Sequence, residues 1–306
     1  MEFVQQIHFL AVKLHENGLK QIILSMRPKQ WTKNIVLFAA LIFSQNLFYG
    51  QNFLRVLEAF ILFTLLSGSV YIFNDFIDIE KDRCHPKKSQ RPLASGKLKP
   101  TNAIIAFIFI GTAVLVFSFL LNVPFGVVAL SYIILQMAYT FSLKHLIILD
   151  VFCVAAGFVL RVLAGAVVID VPVSTWFLVC TMLLALFLSF CKRRHELINL
   201  EGEAVNHRKS LKEYNPYLLD QMIAVVTAST LISYALYTMA PETTQKFGTT
   251  DLKYTIPLVL FGIFRYLYLI HQKNEGGNPE SIILKDKPMI LNICIFILMV
   301  TLILYW

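Results

Sequence analysis

Runs of apolar residues, each about eighteen or more long, follow one another down nearly the whole chain, with short polar segments between them. A run of that length spans the hydrocarbon core of a bilayer as a helix. The pattern predicts nine transmembrane helices, at Asn34–Tyr49, Phe53–Phe73, Ala103–Leu121, Phe125–Leu143, Leu146–Ile169, Thr175–Cys191, Tyr217–Met239, Tyr254–His271 and Met289–Trp306. Residues 34–306 then form a single domain, an all-α polytopic bundle with a polar cavity facing the cytoplasm. Ahead of it, Val4, Ile7, Leu10 and Leu14 recur at helical spacing. Residues 1–33 therefore read either as an amphipathic segment lying on the membrane surface or as a lead-in helix packed on the bundle. They lack the pattern of a signal peptide, since Glu2 precedes any basic residue.

The connections alternate in charge. Gly50–Asn52, Asn122–Pro124 and Asp170–Ser174 carry no Lys or Arg, and Ala240–Lys253 carries only Lys246 and Lys253. On the other side stand Lys81, Arg83, Lys87, Lys88, Arg91, Lys97 and Lys99, then Lys144, then Lys192, Arg193, Arg194, Arg208, Lys209 and Lys212, and finally Lys273, Lys285 and Lys287. The positive-inside rule places the N-terminus and these loops in the cytoplasm and the C-terminus outside, as in a multi-pass protein of a bacterial-type inner membrane. Composition agrees: 57% of the 306 residues are hydrophobic and the mean hydropathy is +0.66, which excludes an ordinary soluble protein. The basic residues behind the net charge of +8 sit in loops between spans. Their partners are lipid headgroups and phosphorylated substrates, not nucleic acid. Five scattered cysteines without a CxxC pair offer neither a disulfide framework nor a zinc site.

Against this apolar background the segment Asn74-Asp75-Phe76-Ile77-Asp78-Ile79-Glu80-Lys81-Asp82 stands out, an N-D-x-x-D-x-x-x-D cluster at the end of the second run. On a helix, spacings of three and four bring Asn74, Asp75, Asp78 and Asp82 to nearly one face. Acids at a helix C-terminus oppose its dipole and repel one another. Converging hard oxygens suit Mg²⁺, which takes one or two carboxylates together with substrate phosphates; the other reading is a solvated helix end pairing with Lys81 and Arg83.

Besides the rest of the acidic cluster's own basic loop, three further polar groups fall on the same side. The lead-in Arg27-Pro28-Lys29-Gln30-Trp31-Thr32-Lys33-Asn34 is a positive-inside anchor with an interfacial Trp, or a phosphate site. Arg91, before the turn marked by Pro92 and Gly96, is a flank charge or a phosphate fork. Tyr139-Thr140-Phe141-Ser142-Leu143-Lys144-His145 precedes Asp150 and Arg161, two charges within a predicted span and so functional candidates by default. Arg161 is also a candidate structural partner of Asp150, roughly three turns away on one side of the same helix and only through intermediates. After the sixth span comes Cys191-Lys192-Arg193-Arg194-His195-Glu196, whose cations complement a helix C-terminus and whose Glu could meet a sugar hydroxyl or a metal.

At these residues the chain resembles the UbiA-type membrane prenyltransferase superfamily, from Arg27 to Trp306. The resemblance rests on the nine helices and on the acidic box at the end of the second. It implies Mg²⁺, with Mn²⁺ as a substitute, bound with a diphosphate at Asn74, Asp75, Asp78 and Asp82. Prenyl-transferring members usually carry a second aspartate-rich motif after the sixth helix, where this chain has Lys192-Arg193-Arg194-His195-Glu196. With RPKQWTKN, YTFSLKHLIILDV and GFVLRVLAG, it looks like the decaprenyl-phosphate phosphoribosyltransferase branch. That branch implies transfer of 5-phosphoribosyl from phosphoribosyl pyrophosphate to a polyprenyl phosphate. Asp75, Asp78, Asp82 and Glu196 would be catalytic. Arg27, Lys29, Lys33, Asn74, Arg83, Arg91, Tyr139, Lys144, Asp150, Arg161, Lys192 and Arg193 would bind substrates. Two other readings remain, an aromatic prenyltransferase and a membrane transporter; against the transporter, the charges gather on one face and no broken pair of helices recurs in two halves.

Overall fold

The computed structural model describes residues 18–86, 88–199, 211, 213–273, 282 and 285–306. The expected surface helix through Val4 and Leu14 lies outside these residues, as do Lys87, Arg208, Lys209 and Lys212. Among the described residues all regular structure is helical. After a helical turn pair over residues 18–25 come α1 (Ala39–Phe43), α2 (Gly50–Ile77), α3 (Ile79–Arg83), α4 (Pro100–Leu121), α5 (Val123–Phe141) and α6 (Leu149–Val167). These are followed by α7 (Thr175–Asn199), α8 (Pro216–Met239), α9 (Pro241–Phe247), α10 (Ile256–Lys273) and α11 (Lys287–Tyr305).

Eight of these stretches are long and apolar enough to cross a membrane, one fewer than the hydrophobic pattern predicts. The difference lies in the first run. Residues Pro28–Phe38 wind as a 3₁₀ helix, and only the five residues of α1 continue as α-helix. A 3₁₀ run longer than three or four residues is uncommon, and here side chains fix it. Trp31 Nε1 donates to the Met26 carbonyl at 3.2 Å, and Asn34 Nδ2 donates to Thr64 Oγ1 and Ser67 Oγ, each at 3.1 Å. The seventh helix also departs from expectation, because it continues past Cys191 to Asn199. The basic motif is therefore helical and not a loop.

Two compact units share the chain: the residues up to Ile35 with Glu58–Gln136, and Val36–Leu57 with Met137–Trp306. In the first, Met26, Ile72, Leu93, Leu98, Ala103 and Ala106 form a core with Trp31 and Phe76 against it. Gly68 lets Met26 lie on α2, since a Cβ there would stand 2.6 Å from Met26 Cε. In the second, α6, α7 and α8 pack side by side around Val151, Phe187, Phe190, Cys191, Tyr214 and Leu219. Gly165 on α6 meets the backbone before α1 so closely that a Cβ would come within 2.1 Å of the Leu37 carbonyl oxygen. Outward faces are apolar: on α4, Phe109 is 73% and Leu120 is 74% exposed, a surface suited to lipid and not to water.

Candidate active site

The acidic box does not lie on one uninterrupted helix. α2 stops at Ile77, and Asp78 (φ −98°, ψ 13°) stands at the N-cap position of the short α3 without a side-chain capping bond. Asp75 and Asp82 nonetheless come together across this break. Both are buried, 2% and 3% exposed, and both accept from Arg91 Nη1, at 3.0 and 2.5 Å. Arg27 also pairs with Asp75, and its guanidinium lies 4.8 Å from the centroid of the Tyr71 ring. Two carboxylates taken out of water are tolerable only with such compensation. Asp78 turns toward Lys81, 3.8 Å away, and Asn74 occupies the last turn of α2, half-buried.

Among the described residues no three Asp, Glu, His or Cys side chains gather closely enough to hold a metal. Asp75 and Asp82 still fit a hard divalent ion, which needs only one or two carboxylates when phosphates complete its shell. The place between them already takes a positive charge, that of Arg91. Arg83, expected at the substrate, is instead exposed and paired with Glu80 at 2.8 Å: one turn along a short surface helix, its nearest acid is its own neighbour. Lys29 lies exposed and Lys33 half-buried on the 3₁₀ segment.

The second polar group belongs to the other unit. Asp150, in the first turn of α6, is completely buried. Its Oδ2 accepts from Arg193 Nε on α7 at 2.8 Å, and its Oδ1 from the Tyr214 hydroxyl at 3.1 Å. Arg193 Nη1 reaches one turn on to Glu196 at 2.6 Å, and Tyr139 lies half-buried near the end of α5. Asp150, expected at the substrate, has both oxygens engaged and no exposed surface. Arg161 is too far along α6 for a direct pair with Asp150, as its sequence spacing implies. Eleven residues along one helix is about 16 Å, and the Arg161 guanidinium bonds to the Gly157 carbonyl at 2.9 Å and lies 5.2 Å from the centre of the Phe158 ring. Lys144, on the 3₁₀ turn Leu143–His145 between α5 and α6, is buried to 7% exposure. Lys192 is half-buried on α7.

Two contributors escape a reading of the sequence. Tyr214 stands in a connection just before the Asn215 cap and Pro216 of α8, a place where an aromatic residue carries no chemical signal. Arg194, read with its neighbours as a helix-end charge, pairs with Asp220 on α8 at 2.5 Å, and His271 Nε2 lies 3.4 Å from the same carboxylate.

The chain is similar to known proteins over most of its length. A solved structure of a UbiA homolog from Archaeoglobus fulgidus bound to GPP and Mg²⁺ superposes with a TM-score of 0.69 at 19% identity, covering 94% of this chain and all of that one. The chain is 32% identical over 281 residues to a decaprenyl-phosphate phosphoribosyltransferase of Mycolicibacterium smegmatis, covering 89% of this chain and 88% of the relative. It is also 32% identical over 272 residues to the protein of that name from Corynebacterium glutamicum, covering 87% and 81%. The model of the UbiA prenyltransferase family matches residues 35–303, and the chain belongs to that family.

Proposed function

We propose that the protein transfers the 5-phosphoribosyl group of phosphoribosyl pyrophosphate to a polyprenyl phosphate and releases pyrophosphate. The observation that carries this reading is the end of α7. Where prenyl-transferring relatives usually hold a second acidic box, this chain has Arg193 buried between Asp150 and Glu196. A donor with its own 5-phosphate calls for cations there, and a guanidinium fork suits a phosphate. The names of the mycobacterial and corynebacterial relatives support the same substrates.

In this reading an oxygen of the acceptor phosphate attacks C1 of the ribose. The C1–O bond to pyrophosphate breaks, and its electron pair departs with the leaving group through an oxocarbenium-like transition state. A phosphate monoester has a second pKa of about 6, so the acceptor is largely ionised and needs no general base. Asp75 and Asp82, with Asn74 and Asp78 beside them, would hold Mg²⁺, which when bound neutralises charge on the departing pyrophosphate. Arg27 and Arg91, already at those carboxylates, would turn to pyrophosphate oxygens. Lys29, Lys33, Lys144, Lys192 and Arg193 answer the remaining phosphates, and Glu196, oriented by Arg193, stabilises the developing positive ring. Residues 34–306 act as one transmembrane domain of nine crossings, the stretch through α1 supplying the first. Residues 1–33 lead in, and the polar residues and N-terminus face the cytoplasm.

The test is direct. Purified protein in lipid receives labelled phosphoribosyl pyrophosphate with polyprenyl phosphate, then polyprenyl diphosphate with an aromatic acid. Transfer of label to lipid in the first mixture, abolished by chelator and restored by Mg²⁺ or Mn²⁺, is expected. Prenylation of the aromatic acid with no use of phosphoribosyl pyrophosphate would overturn the assignment.

A further inference from the structure

The connection from α5 to α6 passes through a conformation that a β-branched residue seldom adopts. Ile148 has φ 67° and ψ −49°, and the Leu149 N–H donates to the Ile147 carbonyl at 2.7 Å. Together these make the γ-turn of positive φ, which is rare and strained. At a β-branched residue such a φ is an outlier, kept only where the surroundings over-determine it.

The surroundings here converge on one hydroxyl. The Ile148 N–H donates to Tyr214 Oη at 2.8 Å, and the same oxygen donates its proton to Asp150 Oδ1. Asp150 holds Arg193, and Arg193 holds Glu196. Tyr214, Asp150 and Arg193 are 4%, 0% and 6% exposed, so water does not compete for these bonds. Burial, with the Asp150 charge adding to it, pushes the Tyr214 phenol up to about 12. It therefore stays protonated at neutral pH and can accept from the amide while donating to the carboxylate. A core tyrosine needs one partner for its hydroxyl; this one joins a strained turn to a buried ionic chain.

We propose that Tyr214 is a positioning residue for phosphoribosyl transfer, its hydroxyl tying the strained turn at Ile148 to the Asp150–Arg193–Glu196 chain and so setting where the Glu196 carboxylate and the Arg193 fork stand. The inference rests on the reading that these two groups grip the phosphoribosyl donor. Phenylalanine at 214 keeps the ring in the core but leaves the Ile148 N–H and one Asp150 oxygen without that partner. Glycine at 148 adopts positive φ freely, so the hydroxyl has less strain to hold against.

The experiment is a double-mutant cycle on the full chain in lipid, with KM for each substrate, kcat and the melting midpoint measured for every protein. Tyr214→Phe should raise KM for phosphoribosyl pyrophosphate about tenfold, the loss expected when a charged acceptor loses one hydrogen bond. KM for the polyprenyl phosphate should stay within about twofold. Added to Ile148→Gly, Tyr214→Phe should raise the donor KM by about threefold or less. Equal changes in both KM values, unchanged kinetics with only a lower midpoint, or strictly independent effects of the two substitutions would overturn the proposal. Where Tyr214→Phe alone does not fold, the double variant decides. A donor KM close to that of Ile148→Gly supports the proposal, and failure to fold in that background too makes the hydroxyl a plain core requirement and overturns it. The unsubstituted protein separates the two levels: no phosphoribosyl transfer by it sinks the functional reading, whereas transfer indifferent to Tyr214→Phe sinks only this inference.

Discussion

Arg91 occupies a position that explains how two buried carboxylates coexist before any substrate arrives. One of its nitrogens serves both Asp75 and Asp82, and about a quarter of its side chain remains exposed. Removing one member of a fully buried ion pair costs about 3–5 kcal/mol, and solvent access at Arg91 brings the expected cost below that. Arg91→Ala should lower the melting midpoint, and Mg²⁺ should restore part of the loss by taking over the neutralisation, more than it shifts the unsubstituted protein. Thermal denaturation with and without Mg²⁺ checks this, and a variant indifferent to the ion would remove these carboxylates from metal binding. The acidic box was legible in the sequence because four oxygen-bearing side chains interrupt an otherwise apolar run. The partner of Asp150 was not, because it lies 43 positions away on another helix, and periodicity within one helix says nothing about pairs between helices. Tyr214 was illegible for a related reason: its role depends on where Ile148 and Asp150 stand in space.

At the scale of elements, two helix starts carry a polar cap followed by proline that hydrophobic length did not single out. Asn215-Pro216 and Asp286-Lys287-Pro288 open α8 and α11, with Asn215 and Asp286 side chains accepting from Leu218 and Met289 backbone N–H groups, the arrangement expected of a polar cap followed by proline. Hydrophobic length alone misjudged the first run. Its apolar residues predict an α-helix, yet Pro28 after a left-handed Arg27 (φ 54°) and the side-chain bonds of Trp31 and Asn34 hold a tighter winding. Tertiary contacts outweigh local preference there. The junction just beyond it is crowded, which makes Gly165 a test of the packing. Gly165→Ala drives a methyl into the Leu37 backbone oxygen, and backbone cannot swing aside as a side-chain end can. Such overpacking costs about 1–3 kcal/mol, so a lower melting midpoint is expected, whereas Gly111→Ala, whose Cβ would meet only Ser69 Oγ at 3.7 Å, should leave the midpoint nearly unchanged. Equal midpoints for both would mean that the backbone at Leu37 does not bear closely on α6.

For the molecule as a whole, the first run decides on which side of the membrane the chain begins. Between Lys20 and Lys88 lie α2 and the stretch through α1. If both cross, Lys20 and Lys88 share a side; if only α2 crosses, they are on opposite sides. From Lys88 to Thr249 the chain passes through α4, α5, α6, α7 and α8, an odd number of crossings, so these two positions differ under either count. The lysine and arginine asymmetry assigns the Lys88 side to the cytoplasm. Single cysteines at Lys20, Lys88 and Thr249 in a chain cleared of its five native cysteines, of which Cys84 and Cys294 are exposed, separate the possibilities. An impermeant maleimide on intact cells should label Thr249→Cys alone, and lysis should expose the other two. Labelling of Lys20→Cys in intact cells would reduce the crossings to eight and place Arg27, the partner of Asp75, one residue run away from the wrong face. That outcome would be hard to reconcile with the ion pair, since Arg27 directly follows residues 18–25 and cannot reach across about 30 Å of hydrocarbon. Under the proposed nine crossings the ion pair and the charge asymmetry make the same demand, that the stretch through α1 spans the membrane although only five of its residues are α-helical.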